Sequence, residues 1–197
     1  MVTELDSTRA LEPYLTHTTV IDGDHPEVRG LARRLRSEAA DDVDLARRAF
    51  EWVRDEVAHS FDACDPRVTL RASDVLRERV GLCYAKSHLL AALLRAEGIP
   101  TALCYQRLAH GDAHVLHGLV AIHLDGSWHR HDPRGNTNGI AAQFSLGEEK
   151  LAWSVDPGAG EIDYEGLWSE PSPAVVAVLQ NTTNVLELRE SGLPTAP

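Results

Sequence analysis

Cys83 is the residue of this chain best placed to do covalent chemistry. Gly81 frees the backbone just before it, and a helix is predicted to begin at it. Leu89, Ala92, Leu93 and Ala96 follow the i, i+3, i+4, i+7 rule of one apolar face, and Gly98 and Pro100 stop the run. A thiol in a first turn meets unpaired N–H groups and the positive end of the helix dipole, which favour an anion. The thiolate is the form of cysteine that attacks a carbonyl carbon. Position alone leaves a second reading open, a buried structural cysteine, since free cysteines are among the most buried residues.

A base for such a nucleophile has to come from ten histidines. Asp125-Gly126 between two strand-like runs signals a two-residue type I′ turn. That turn pairs Leu124 with Ser127 and sets Asp132 opposite Leu119. His117, two residues from Leu119, shares its face, and such diagonal neighbours lie roughly 7–8 Å apart, within side-chain reach. A carboxylate there holds an imidazole in one tautomer and stabilises its charged form. A turn of odd length would shift the register and separate the pair. The same parity sends His114, His129 and His131 to the opposite face and leaves His123 near the turn. His110, His114 and His117 offer a competing metal set, but their spacing suits a helix and Gly111-Asp112 argues against one, so no metal is assigned.

The elements that must position these groups can be read along the chain. Residues 14–22 are rich in β-branched side chains and predict a short strand. Pro26 opens a helix with Val28, Leu31, Ala32 and Leu35 as its apolar stripe; a second starts near Asp41-Asp42, whose carboxylates suit an N-terminus. A short helix around 73–79 precedes the Cys83 helix, and strands are predicted over 101–109, 115–124 and 127–132. From Pro133 to about Gly160 the chain reads as turns, and after an apolar run at 174–179 its polar end is expected to fray. The whole reads as one α+β domain over 1–197, with a core at about 40–135 and a C-terminal extension over 136–197.

Bulk composition narrows the function classes. Nineteen basic residues against thirty acidic ones give a net charge of −11, which argues against nucleic acid and anionic membrane surfaces as partners. The first residues carry neither a basic nor an apolar run, and no stretch is long enough for a membrane span. Three cysteines, Cys64, Cys83 and Cys104, form neither a metal motif nor a disulfide framework, so reduced thiols in a cytoplasm are expected.

Three blocks of sequence resemble the transglutaminase-like superfamily, a branch of the papain-like cysteine enzymes with bacterial members. They are Gly81-Leu82-Cys83 through the leucine-rich helix to Pro100, His117 with the alternating run to Gly126-Ser127-Trp128, and Asp132-Pro133; Val53–Val57 and Ala72–Leu76 add weaker similarity. The resemblance implies a papain-like fold, with the nucleophile helix packed on an antiparallel sheet, and a Cys83–His117–Asp132 catalytic triad. Cys83 would attack an amide of a protein or peptide, His117 would move the proton, and the acyl-thioester would pass to an amine or to water. No cofactor is implied. Gly118 departs from the Ala-Trp that many transglutaminases carry after the histidine. Two other classes compete: a non-catalytic protein-binding domain that keeps the fold, and a histidine-rich metal-binding protein. Tyr84 is a candidate substrate-binding residue with packing as its alternative. Lys86 is read as a solvated surface lysine, Arg134-Gly135-Asn136 as a turn, Cys104 and Trp128 as packing, and Cys64 as a bystander.

Overall fold

The computed structural model describes residues 10–137, 139–190 and 192–197. Helices α1 (Pro26–Glu38), α2 (Asp42–Glu56) and α3 (Ala72–Glu78) pack around α4 (Cys83–Ala96) on one side. On its other side α4 meets an antiparallel sheet of order β5-β4-β3-β6, built from β3 (Thr101–His110), β4 (Ala113–Leu124), β5 (Ser127–His131) and the two-residue β6 (Ile162–Asp163). A short parallel pair, β1 (Ala58–His59) and β2 (Val80–Gly81), sets His59 beside Gly81. Helix α5 (Pro173–Asn181) and a 3-10 turn at Val185–Arg189 complete the chain. Among the described residues no helix is long and apolar enough to cross a membrane.

Local chemistry accounts for most of these elements. Pro26 occupies the first turn of α1, and Asp41 caps α2 by accepting from the Asp44 amide at 2.8 Å. Asp125 and Gly126 both take positive φ, 51° and 81°, as a type I′ turn requires. The hairpin register follows from it, Leu124 opposite Ser127 and Val120 opposite His131.

Two expectations fail. Residues 14–22 form no strand; a 3-10 turn at Glu12–Leu15 leads into irregular chain. Thr18 is the cause: its hydroxyl accepts from the backbone of Val20 and Ile21, a local turn that competes with strand pairing. Nor does α4 keep a polar face. Every residue from Cys83 to Arg95 is buried, because helices cover one side and the sheet the other. Its long polar side chains find partners inside the fold: Arg95 donates to the carbonyls of Thr16, Thr101 and Ser169, and His88 meets the Leu70 carbonyl at 2.9 Å, while the buried Ser87 hydroxyl has no hydrogen-bond partner.

Candidate active site

Cys83 is the first residue of α4, and Leu82 before it makes no side-chain cap, so no side chain competes for the first-turn N–H groups. Its sulfur lies at the edge of β4, where the Gly118 amide donates to Sγ at 3.5 Å. His117, the neighbouring residue, holds Asp132 Oδ2 with Nε2 at 2.7 Å. That leaves Nδ1 as the ring nitrogen available to the thiol. Asp132 lies just past the end of β5 and is fully buried, and its Oδ1 accepts from the Arg134 amide and its Oδ2 from the Ala152 amide. Three hydrogen bonds thus fix the carboxylate, and one of them fixes the imidazole.

The electrostatics follow from that arrangement. Burial disfavours a charged imidazole, but the Asp132 carboxylate and Cys83 outweigh it, and the His117 pKa is raised to about 10. Burial likewise works against an ionised Asp132, yet the facing His117 and the two backbone donors hold its pKa below the ordinary carboxylate value. Both shifts favour the imidazolium–carboxylate form of the pair.

A cavity of about 320 Å³ opens beside the thiol, lined among others by His59, Cys83, Tyr84, His117, Arg134 and Trp153. Trp153 sets its ring edge-on to His117 at 4.9 Å and is 36% exposed, so it shields the imidazole from one side. The Arg134 guanidinium lies 5.1 Å over the same indole and makes a two-pronged pair with Asp62, at 2.7 and 3.0 Å. Arg134 is thus a buried wall of the site, where a simple turn was expected. Lys86, expected in solvent, is fully buried one turn beyond Cys83, and its ammonium donates to the carbonyls of Val57 and Arg54 at the end of α2. Desolvation lowers its pKa to about 7. Tyr84 lines the cavity, but its hydroxyl donates to the Leu116 carbonyl and its ring packs on Gly118. The three histidines of the alternative metal set have separate partners: His110 meets the Arg189 carbonyl, His114 that of Ala159, and His117 the Asp132 carboxylate. Among the described residues no group of three or more histidine, cysteine or acidic side chains is disposed to hold a metal ion.

The sequence model of the transglutaminase-like superfamily matches residues 29–133. The chain belongs to that superfamily. Among solved structures, this transglutaminase-like chain is similar to a candidate cysteine protease from Cytophaga hutchinsonii, at 20% identity and a TM-score of 0.54. That match covers 67% of this chain and 45% of the other. The periplasmic domain of TgpA from Pseudomonas aeruginosa matches at 23% identity and a TM-score of 0.48, over 64% of this chain and 48% of that one. The matched region therefore spans less than half of either neighbour. No curated protein matches the chain.

The departure of this transglutaminase-like chain at Gly118 has a steric reason. A Cβ there would sit 2.8 Å from Tyr84 Cδ1 and 3.2 Å from Tyr84 Cα, so only glycine lets the start of α4 approach β4 this closely. Gly118→Ala is expected to destabilise the protein by about 1–3 kcal/mol, as overpacking does, and to lower the thermal midpoint. A melt that matches the parent's would show that this close approach is not required. Trp153 and His59 escape a reading of the sequence because each reaches the site from a loop or a two-residue strand with no periodicity of its own. His59 is held neutral by burial and by the Arg134 cation, its pKa lowered to about 3, and its buried Nδ1 has no hydrogen-bond partner.

Proposed function

We propose that this chain is a cysteine-dependent enzyme acting on amides of peptides or proteins, with Cys83 as nucleophile, His117 as proton carrier and Asp132 as the group that orients it. The observation that carries this reading is the shared edge of β4. There the Cys83 sulfur touches the Gly118 amide while the adjacent His117 is clamped by Asp132 at 2.7 Å. Sγ attacks the carbonyl carbon, and the oxygen takes up negative charge near the Cys83 amide at the helix start. The C–N bond breaks as the His117 imidazolium gives its proton to the leaving nitrogen, leaving an acyl-thioester on Cys83. Water or an amine then attacks the thioester, its proton passes to His117, and the thiolate departs. Water yields hydrolysis, and an amine yields transamidation. A reducing compartment suits three unpaired thiols, and on that ground we assign the protein to the cytoplasm.

Cys83→Ala tests the assignment. The variant is expected to lose turnover of amide substrates and to lose the selective carboxamidomethylation by iodoacetamide at mildly acidic pH. Exposed Cys64 serves as the internal reference, while burial pushes the Cys104 thiol up to about 12 and keeps it inert. If iodoacetamide modifies Cys64 faster than Cys83 in the parent protein, Cys83 is a structural cysteine and the proposal fails.

A further inference from the structure

The polar end of the chain, expected to fray, instead lies across the cleft. A two-residue turn makes Leu124 and Ser127 a pair that exchanges both hydrogen bonds, so the N–H groups of Leu124, Ile122 and Val120 face β5. By the same alternation, those of Gly118 and Leu116 face the same edge, but β5 ends at His131, opposite Val120, and leaves them without a strand partner. The Gly118 amide meets Cys83 Sγ. The Leu116 amide donates to the Pro194 carbonyl at 2.6 Å. The thiol and the Pro194 carbonyl therefore occupy consecutive positions on one strand edge beyond the end of β5, about 7 Å apart along the strand.

Further contacts hold this segment in place. Leu193 lines the cavity beside Cys83 and packs on the hydrophobic core. The Arg189 guanidinium stands 5.7 Å over the Phe61 ring, and the Arg189 carbonyl meets His110 Nε2 at 3.2 Å. Tyr164 donates its hydroxyl to the Thr195 carbonyl at 3.5 Å. The strap thus runs from the loop after β1 to the sheet, over the space in front of the nucleophile. What remains open, about 320 Å³, is near the lower end of the roughly 300–1,000 Å³ typical of small-ligand pockets.

An unpaired strand edge recognises extended peptide through its main-chain groups. We propose that the β4 edge at Leu116–Gly118 is the docking site for an extended peptide substrate, and that residues 193–195 of this same chain occupy it as an intramolecular competitor. Leu193 precedes a proline, which biases it toward the extended backbone such docking needs. The Leu116 carbonyl on this edge already accepts from the Tyr84 hydroxyl, so the strap and a substrate peptide compete for the same Leu116 amide. The inference rests on the catalytic assignment of Cys83 for its meaning, but not for its test.

Two probes of different size separate the two claims. Iodoacetamide is small enough for the open cavity, and a tetrapeptidyl chloromethyl ketone needs the strand edge. In a variant ending at Glu190, and in Leu193→Asp, Cys83 is expected to react with the peptidyl probe about tenfold faster than in the full chain, the loss of a backbone hydrogen bond and an apolar contact. The iodoacetamide rate should change by less than about twofold. A synthetic peptide of residues 189–197, added to the shortened protein, should restore the slow rate. Hydrogen exchange at the Leu116 amide should quicken in both variants. Equal peptidyl rates in all three proteins, unchanged exchange at Leu116, or unfolding of both variants overturns the inference; in the last case the segment is part of the folded core. Iodoacetamide that spares Cys83 in every protein refutes the nucleophile, while exchange at Leu116 still decides the strap.

Discussion

Replacing Asp132 by alanine is expected to cut turnover of an amide substrate by about 10⁴-fold, the scale found when a triad carboxylate is lost. The carboxylate is the first support, ahead of Cys83, for a charge on His117, whose buried ring would otherwise favour the neutral form. With it gone, the imidazolium loses its 2.7 Å partner and the ring loses its tautomer. Asp132→Asn should fare little better. Its amide can turn an N–H toward Nε2, which forces the ring proton onto Nδ1, the nitrogen that has to receive the thiol proton. The stability effect has a definite sign. His117 has a folded pKa raised to about 10, so its contribution is fully present below about 6.5 and fades as pH rises through about 10. Lys86, lowered to about 7, acts in the opposite direction over much of that range and partly masks it. The cleanest reading is therefore kinetic: the rate of Cys83 alkylation against pH. Asp132→Ala should depress it most at mildly acidic pH, and a rate unchanged there would mean that Asp132 does not sustain the reactive state of the thiol.

The parts of the site that lie on regular elements could be read ahead of the structure. The turn Asp125-Gly126 has one favoured geometry, that geometry sets a register, and the register carries His117 and the residue just past β5 to the same region. Cys83 could be placed because the stop signals and apolar spacing of α4 mark its ends independently of its surroundings. What escaped depends on contacts across long stretches of chain. Arg134 meets Asp62, 72 residues away, and nothing in a Pro-Arg-Gly triplet distinguishes a turn that also walls a cavity. Lys86 reads as surface because lysine is almost never fully buried, yet the carbonyls at the end of α2 and the layers on both sides of α4 make a place for it. The strap at 193–195 had no signal at all. Its docking is set by where β5 stops, and only the assembled sheet shows that.

Stability is expected to fall steeply as the pH drops below about 6.5, by roughly 3 kcal/mol per pH unit between about pH 6 and pH 4, from two buried histidines alone. His88, inside α4, is desolvated and its pKa falls to about 4, although the Leu70 carbonyl it meets favours the protonated ring. His131 is also lowered to about 4, chiefly by burial; it stacks on Phe144 at 4.4 Å, its Nδ1 faces the His129 carbonyl, and its Nε2 has no partner. Both are neutral when folded and titrate near 6.5 when unfolded. Their contribution is therefore intact above 6.5 and lost as pH falls through about 4, since the unfolded chain takes up two protons that the folded one refuses. His59, lowered further, adds to the same slope. Asp132 joins only below its ordinary carboxylate range, because its folded pKa is depressed from there. His117 stays protonated in both states below about 6 and adds nothing there. Urea unfolding at a series of pH values should show the slope, and His131→Phe, which keeps a ring against Phe144, should reduce it by about half of the two-histidine value. A free energy of unfolding that is flat from pH 7 to pH 5 would mean that these rings accept protons in the folded state. The slope also bounds the thiol experiments: near pH 6 they report on Cys83 in a folded protein, and near pH 5 a stability reserve of about 5–15 kcal/mol is already substantially drawn down.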